Sequence, residues 1–339
     1  MNAAAGRTYL ITGGASLIGS HLADALLLDG AASVRLFDNF ALGTPETIAH
    51  LMHEPRVQLI RGDVLRLAEL LEASQDADGT FALAGFLTIP MLHNPGLGVQ
   101  VNTVGLLNTL EAARFAGVRR VVFASSVAAY GNAQAEVLRE DAATVTARLS
   151  PVSAVYGVSK LFGESLCRLY AQKYGVEFNA LRFASVYGER QHARAVNANF
   201  IAETCQRVRS GDRPIIVGDG REVHDYIHVT DIAAGCLAAV TSDTHGEVLN
   251  LATGVDSSLT DVVRTVLKAL GSTLEPEYRP DTRAVRSAGG THLGFSRARA
   301  ETAIGWVPRV TLEDGIRRYV RWLDEQRGQP GTETASRPV

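Results

Sequence analysis

The sequence has few cysteines, no basic cluster and no long apolar run, and each of these absences excludes a class of protein. Its three cysteines, Cys167, Cys205 and Cys236, lie far apart without metal-ligand spacing, so we expect reduced core residues of a cytoplasmic protein. The net charge is −3 and no run of lysine or arginine occurs, which argues against nucleic acid or an anionic membrane surface as a partner. No apolar stretch has the length of a membrane span, and the N-terminus lacks the basic and then apolar pattern of a signal peptide.

What the sequence does contain is the composition of an ordinary globular protein. Its 339 residues are 46% hydrophobic and 20% charged, which allows a sizeable core and, by length, about two domains or lobes. The stretch 327–339 is rich in glycine, proline, serine and threonine, and we expect it to be a disordered tail.

A glycine-rich turn near the N-terminus organises the rest of the chain. The apolar run 9–12 ends in glycines and apolar residues then recur at helical spacing, which predicts a strand, a tight turn and a helix. The first turn of such a helix directs free N–H groups at an anion, here the pyrophosphate of a dinucleotide, although similar turns also occur with nothing bound. The residues placed at this turn are Gly13, Ser16, Leu17, Ile18 and Gly19.

A carboxylate follows the glycine turn at the spacing that a dinucleotide site requires. Asp38 ends the predicted strand 33–38 and lies 19 residues beyond Gly19. An acid at this point accepts hydrogen bonds from the adenosine ribose hydroxyls and repels a 2′-phosphate, which favours NAD over NADP. A strand-end aspartate without any ligand is the alternative.

Strands and helices alternate through the first half of the chain. Residues 57–64 and 81–85 are predicted strands, and the small residues of the second allow a cofactor to approach closely. A helix is predicted over 102–116, and a fifth strand over 121–126 places Ser126 at its carboxyl end. This alternation predicts an α/β fold with a doubly wound parallel sheet, which binds ligands at its carboxyl edge.

The chemical centre is predicted where Tyr156 opens a helix that also carries Lys160. Residues at i and i+4 share a helix face, so the phenol and the ammonium lie in one site. Lowering the pKa of a tyrosine by roughly three units requires about 4 kcal/mol, and one cation at ~4 Å in an effective dielectric of ~20 supplies about that much. The pair then forms a general base near neutral pH, with Ser126 bonded to the same substrate oxygen. An aromatic ring packed beside a lysine stem is the alternative without chemistry.

Together with further motifs, these residues make the chain resemble an extended short-chain dehydrogenase/reductase of the NAD-dependent sugar epimerase/dehydratase kind. The motifs run through most of the sequence: Thr12-Gly13-Gly14, Asp38-Asn39-Phe40, Gly62-Asp63-Val64, Asn102, Ser125-Ser126, Tyr130-Gly131, Tyr156 with Lys160, Leu181-Arg182-Phe183, Val186-Tyr187-Gly188, Asp225-Tyr226-Ile227-His228-Val229 and Gly305-Trp306-Val307-Pro308.

The resemblance implies a domain organisation, a cofactor and an assembly. A Rossmann domain is expected over 1–180, rejoined by about 225–253, with a smaller α/β C-terminal substrate lobe built from 181–224 and 254–326. The family forms homodimers through two helices per subunit, here those near 102–116 and around Tyr156. Catalytic roles fall on Ser126, Tyr156 and Lys160, and NAD contacts on Gly13, Ser16, Leu17, Ile18, Gly19, Asp38, Asn39, Asp63, Val64, Leu83, Ala84, Gly85, Asn102, Tyr156, Lys160 and Phe183.

The same resemblance implies an epimerase. In the family the tyrosine deprotonates a sugar hydroxyl while a hydride passes to the nicotinamide, and an epimerase returns the hydride to the opposite face. Relatives that dehydrate or decarboxylate have acids where this chain has Val127 and Ala128, and eliminating water needs a proton donor. The alternatives are a net NAD-dependent dehydrogenase or reductase, a dehydratase of a sugar or specialised metabolite, and a cofactor-free binding or regulatory protein.

One departure from the family lies in the glycine turn. Ser16 occupies the place of the middle glycine, where a side chain crowds the pyrophosphate by roughly 1–3 kcal/mol or else donates a hydrogen bond to a phosphate.

The substrate side is less defined. The apolar residues 86–92, expected as a loop, either wall the pocket near the nicotinamide or pack in the dimer interface. Ser185 and His224 replace an asparagine and an arginine that relatives use near the diphosphate, so the nucleotide part of the substrate stays open. His224 and His228 lie four apart without a third ligand, and no metal site is expected. The predicted substrate contacts are Phe86, Thr88, Ser126, Ser185, His192, Arg221, His224 and Arg286.

Overall fold

The computed structural model of the protein describes residues 3–133, 135–147, 149–191, 199–281 and 294–327, without the side chains of Asn199 and Arg327. His192, Arg286 and the predicted tail beyond residue 327 lie outside these residues. The strands are β1 Thr8–Thr12, β2 Ser33–Asp38, β3 Val57–Arg61, β4 Gly79–Ala82, β5 Arg120–Ser126, β6 Glu177–Phe183, β7 Ser185–Tyr187, β8 Ile215–Val217, β9 Val223–His224, β10 Tyr226–His228, β11 Glu247–Leu251, β12 Ser257–Ser258 and β13 Glu277–Arg279.

The helices lie between and after these strands. They are α1 Leu17–Leu28, α2 Pro45–Ile48, α3 Leu67–Ala73, α4 Thr88–His93, α5 Pro95–Gln100, α6 Leu106–Phe115, α7 Pro151–Tyr174, α8 Asn199–Arg209, α9 Val229–Thr241, α10 Leu259–Ala269, α11 Ala298–Ile304 and α12 Leu312–Arg327, with 3₁₀ turns at Ala49–Leu51 and Val127–Tyr130 and a π turn at Val101–Gly105.

A seven-stranded parallel sheet is the centre of the molecule. Its strand order is β3-β2-β1-β4-β5-β6-β11, with every neighbouring pair parallel. The direction of the winding reverses between β1 and β4, which is where a doubly wound sheet opens a crevice at its carboxyl edge. The sheet confirms the predicted α/β doubly wound class.

Helices cover both faces of the sheet because its strands are apolar on both sides. On β1, Ile11 is buried in one core with Leu22 of α1 and Ile232 of α9. Its neighbour Leu10 points to the opposite face, into a core with Leu110 of α6 and Cys167 of α7. The result is a three-layer sandwich with α1 and α9 on one side and α6 and α7 on the other.

The later part of the chain forms short two-stranded sheets and a second group of helices. β7 pairs with β10, β8 with β13, and β9 with β12. A separate core joins α8, α10 and α12 through residues such as Ile201, Val262 and Ile316. The expected division into a Rossmann domain and a substrate lobe stays a prediction.

Three local predictions are wrong. The helix of Tyr156 begins at Pro151, because Ser150 caps it by accepting a hydrogen bond from Ser153 N and proline is favoured in a first turn. Part of the expected loop 86–92 is helical, since α4 starts at Thr88. The strands expected over 57–64 and 81–85 end at Arg61 and Ala82, which leaves their last residues beyond the sheet edge.

Within the part of the chain that the structure describes, no helix combines the length and the apolar character that crossing a membrane requires.

Candidate active site

The structure brings Ser126, Tyr156 and Lys160 together at the carboxyl end of β5. Ser126 ends the strand, and its hydroxyl accepts from Ala128 N at 3.1 Å. Lys160 follows Tyr156 by one helical turn on α7, and its Nζ donates to Ala124 O at 2.8 Å. The lysine Nζ lies 5.6 Å from the centre of the Tyr156 ring. Both side chains are buried, so their charges interact in a medium of low polarity.

Burial controls the protonation of this pair. It raises the pKa of Tyr156 to about 12, an effect that the hydrogen bond with Ser126 partly opposes. It also lowers the pKa of Lys160 to about 8. The expectation that Lys160 alone brings the phenol near neutrality is therefore wrong, because burial disfavours the phenolate and only Ser126 opposes that shift.

The glycine turn between β1 and α1 has the geometry of an anion site. Gly13 has a φ of +72°, and a Cβ on it would come within 2.9 Å of Ala84 N. A Cβ on Gly19 would lie 2.6 Å from the carbonyl oxygen of Gly13. The first intrahelical hydrogen bond runs from Ser20 N to Ser16 O, and Gly19 N donates to Ser16 Oγ. The N–H groups of Leu17 and Ile18 come before these donors in the first turn and remain available to a ligand.

Ser16 is the N-cap of α1. Its Oγ accepts a hydrogen bond from Gly19 N at 3.1 Å, and its hydroxyl donates to Gly13 O at 2.6 Å. The hydroxyl proton is thus engaged within the turn, and the alternative that it donates to a phosphate is not supported. The serine performs the capping that its residue type favours.

The carboxyl ends of β2 and β3 carry polar side chains. Asp38 is buried and accepts hydrogen bonds from Ala15 N at 3.0 Å and Phe40 N at 2.8 Å. Burial raises its pKa above the ordinary value, and these two hydrogen bonds oppose that shift. Asn39 Nδ2 donates to Asp63 Oδ2 at 3.3 Å, so Asp38, Asn39 and Asp63 share one edge of the sheet.

Asn102 connects the end of β4 to α7. Its side-chain oxygen accepts from Phe86 N at 2.7 Å, and its amide nitrogen donates to Phe86 O at 3.0 Å and to Ser159 Oγ at 3.1 Å. Ser159 in turn donates to Tyr156 O at 2.7 Å. The sequence analysis missed Ser159, although its position three residues after Tyr156 on the same helix was the available signal.

Other predicted cofactor residues lie near Asn102 or at the ends of neighbouring strands. Leu83, Ala84 and Gly85 follow β4, and a Cβ on Gly85 would lie 3.4 Å from both Asn102 Oδ1 and Lys160 Nζ. Val64 is buried after β3, against Gly105 of the π turn. Phe183 pairs with Ser126 in the register of β5 and β6.

The predicted substrate residues fall at several places. Phe86 is buried and Thr88 is the first residue of α4. Ser185 begins β7 and donates its N–H to Asp225 O at 2.9 Å. His224 is buried with its Nε2 at 2.8 Å from Glu222 Oε1. Arg221 is 82% exposed and ion-paired with Asp219.

In the described ranges, no group of three or more His, Cys, Asp or Glu side chains is placed to hold a metal ion.

Comparisons with known proteins agree with this architecture. A sequence model of the NAD dependent epimerase/dehydratase family matches residues 9–252. The UDP-glucose 4-epimerase of Mycolicibacterium smegmatis is 30% identical over 331 residues, which cover 93% of this chain and 97% of that protein.

Two solved structures are also similar. The UDP-N-acetylglucosamine 4-epimerase from Methanobrevibacter ruminantium, in complex with UDP-N-acetylmuramic acid, has a TM-score of 0.85 at 26% identity and covers 95% of this chain and 99% of its own. The UDP-glucose 4-epimerase of Thermus thermophilus, in complex with NAD, has a TM-score of 0.80 at 29% identity, with coverages of 95% and 99%.

Proposed function

The chain belongs to the NAD dependent epimerase/dehydratase family, and from this premise we propose that it interconverts two epimers of a nucleotide-linked sugar by transient oxidation of one carbon. The observation that carries the proposal is the placement of buried Tyr156, one turn before buried Lys160, at the carboxyl end of β5 where Ser126 ends the strand. The family and the curated relative both support an enzyme rather than a binding protein.

The residues present fit NAD as the cofactor. The free N–H groups of Leu17 and Ile18 suit its pyrophosphate, and the carboxylate of Asp38 with the amide of Asn39 suits its adenosine ribose. Lys160 has two ammonium hydrogens beyond the one donated to Ala124 O, which suits ribose hydroxyls. NAD supplies a reversible hydride acceptor and, when oxidised, a positive charge.

Tyr156 is the proton acceptor in this proposal. In this proposal Tyr156 reacts as its phenolate, which the Lys160 ammonium and the positive charge of bound oxidised NAD would favour against the effect of burial. A sugar hydroxyl gives its proton to this phenolate as its carbon is oxidised, and receives it back when the carbon is reduced. Ser126 holds the same oxygen by a hydrogen bond, and the Lys160 ammonium favours the phenolate. Val127 and Ala128 follow Ser126 in a 3₁₀ turn and offer no proton to a leaving hydroxyl, which supports epimerisation over dehydration.

We assign the substrate to the nucleotide sugars because the similar proteins act on or bind them. The sugar is placed against Phe86 and Thr88 beside Ser126, and the diphosphate near Ser185 and His224. His224 Nε2 lies 2.8 Å from Glu222 Oε1.

A substrate panel with product identification tests the function. The purified protein is extracted with acid to release and quantify NAD, then incubated with UDP-hexoses while the NADH absorbance is followed and products are identified by NMR. We expect bound NAD and an epimeric product without NADH accumulation. Steady NADH formation indicates a net dehydrogenase, loss of water a dehydratase, and absence of both NAD and turnover a binding protein.

Replacing the proposed base gives the first prediction about single residues. Tyr156→Phe removes only the phenolic oxygen, so turnover should fall on the order of 10²- to 10⁴-fold while the NAD content is unchanged. Tyr9→Phe, at the amino end of β1, is the matched control and should keep full activity. Wild-type turnover in the Tyr156 variant contradicts its role as base.

We further propose a homodimer formed through α6 and α7. On α7, Val155, Val158, Phe162 and Leu169 are exposed at helical spacing and form one apolar stripe. Leu87, which precedes α4, and Ile89 and Leu92 on α4 are also exposed and apolar, and α4 packs against α7. The buried residues Phe86 and Met91 face the interior instead. Leu107 of α6 is exposed as well, and an apolar surface of this kind on α6 and α7 is suited to a second copy of itself.

A further inference from the structure

A buried carboxylate on α7 binds two strands at once. Glu164 is 1% exposed, and its Oε1 accepts hydrogen bonds from Ser125 Oγ at 2.6 Å and Arg182 Nε at 2.8 Å. Its Oε2 accepts from Arg182 Nη2 at 2.9 Å. Ser125 belongs to β5 and Arg182 to β6, so one side chain ties the helix of the proposed base to the two strands beneath it.

Arg182 carries the connection further. Its Nη1 donates to Glu140 O at 3.1 Å, and its guanidinium lies 4.5 Å from the centre of the Tyr130 ring. The Tyr130 hydroxyl donates to Asn250 Oδ1 on β11 at 2.7 Å. The buried network therefore includes the segment between β5 and α7, through which the chain passes from Ser126 to Tyr156.

Two adjacent residues of β5 thus contact α7 at two positions along the helix axis. Ala124 O accepts from Lys160 Nζ at 2.8 Å, and its neighbour Ser125 contacts Glu164, four residues later on the helix. At 1.5 Å per residue the two attachment points are about 6 Å apart along the axis, so both sliding and rotation of the helix are restricted. We infer that Glu164, through Ser125 and Arg182, is a positioning residue that sets Tyr156 and Lys160 against Ser126.

If the Glu164–Arg182 ion pair contributes only to stability, replacing it has no effect on Tyr156. If the pair positions α7, replacing it moves Tyr156. Removing one partner leaves a buried charge, whereas replacing both by apolar side chains of similar volume often leaves a protein as stable as before. The double variant Glu164→Met/Arg182→Met therefore separates the two roles. Its matched control is Arg120→Met/Glu177→Met, which removes a pair of 2.7 Å at the amino ends of the same two strands.

The first measurement does not depend on the reaction. The protein is labelled with 3-fluorotyrosine, and the Tyr156 resonance is assigned in each background by its loss in Tyr156→Phe. We expect the ¹⁹F shift of Tyr156 to move in the Glu164/Arg182 double variant and to stay in place in the Arg120/Glu177 control. An unmoved resonance in the folded double variant overturns the inference.

The second measurement is turnover, and it rests on the proposed function. We expect kcat to fall on the order of 10²-fold with KM nearly unchanged, because misplacement of a reacting group by about 1 Å has that effect. Wild-type kcat in the folded double variant contradicts positioning. If the wild-type protein converts no nucleotide sugar, the proposed function fails and the fluorine shift alone decides.

A milder substitution covers the case in which the double variant does not fold. Ser125→Ala removes one hydroxyl and leaves the Glu164–Arg182 pair intact. We expect the Tyr156 resonance to move and kcat to fall about tenfold, in proportion to one lost hydrogen bond of about 1.4 kcal/mol. An unmoved resonance together with unchanged kcat overturns the inference.

Discussion

At the scale of single residues, Lys160 is a buried amine whose charged form destabilises the fold. Burial lowers its pKa from 10.5 to about 8. Between these values the unfolded chain binds the proton and the folded chain does not, so the free energy of unfolding rises with pH across this window. Below pH 8 both states are protonated, and the buried ammonium destabilises the fold by about 3 kcal/mol.

The variant Lys160→Met should therefore be more stable than the wild type and inactive. We expect a gain of about 3 kcal/mol at pH 7, which shrinks as the pH rises from 8 to 10.5, measured by urea unfolding at several pH values. Lys173→Met, at the exposed end of α7, is the control and should show no such pH dependence. A variant that is less stable at pH 7 contradicts the account.

Residue types and spacings predicted which side chains meet, but not their energies. Ser126, Tyr156 and Lys160 are close together because a parallel strand ends where the next helix begins, and sequence contains that information. The pKa of Tyr156 predicted from the sequence is too low, because the Coulomb attraction of a lysine is readable from residue spacing and the desolvation of the phenol is not. Desolvation depends on how many atoms surround the phenol, which only the packed structure gives.

At the scale of elements, the N-terminus of α1 carries a serine where the family resemblance implies a glycine. The Ser16 hydroxyl bonds to Gly13 O and Gly19 N and is thereby folded into the turn. We expect Ser16→Gly to change NAD affinity by less than about fivefold, since no crowding side chain is removed. Its stability should fall by a few tenths of a kcal/mol.

Ser16→Ala separates capping from crowding. The methyl group keeps the bulk but loses both hydrogen bonds, so unfolding should be easier by about 1 kcal/mol with NAD affinity again nearly unchanged. Calorimetric titration with NAD and thermal unfolding measure the two quantities. A tenfold or larger gain in affinity in Ser16→Gly indicates that the serine does crowd the pyrophosphate.

Five of the seven strands of the large sheet, β1 to β5, were predicted individually, whereas β6, β11 and the helix starts were not. Buried parallel strands are continuous apolar runs, and these stand out in a sequence such as that of β5. The start of α7 depends on Ser150 acting as a cap, and α4 consists of apolar residues whose pattern does not distinguish a short helix from a loop. The contacts of Glu164 were equally hidden, because Ser125 and Arg182 come from different strands whose proximity is a property of the fold.

At the scale of the whole molecule, the exposed apolar stripe of α7 would be in contact with water if the protein were a monomer, which is unfavourable. Phe162 is 48% exposed at its centre, on the opposite side of the helix from the buried Glu164 and Cys167. A helix buried on one face and apolar on the other is expected where two cores meet. In a two-fold symmetric dimer each copy contributes the same stripe, so one substitution acts twice.

Phe162→Glu should consequently convert the proposed dimer into a monomer. Two carboxylates forced into an apolar contact weaken association by at least about 2 kcal/mol per copy, which sedimentation equilibrium detects as a rise in the dissociation constant on the order of 10²-fold or more. Tyr278→Glu is the control, since Tyr278 is an aromatic side chain of similar exposure, 52%, on β13 and away from α7. Its association should match the wild type. A wild-type monomer, or a Phe162→Glu dimer as tight as the wild type, contradicts the α6–α7 interface. Because α7 also carries Tyr156 and Lys160, we expect the monomeric variant to lose part of its turnover as well.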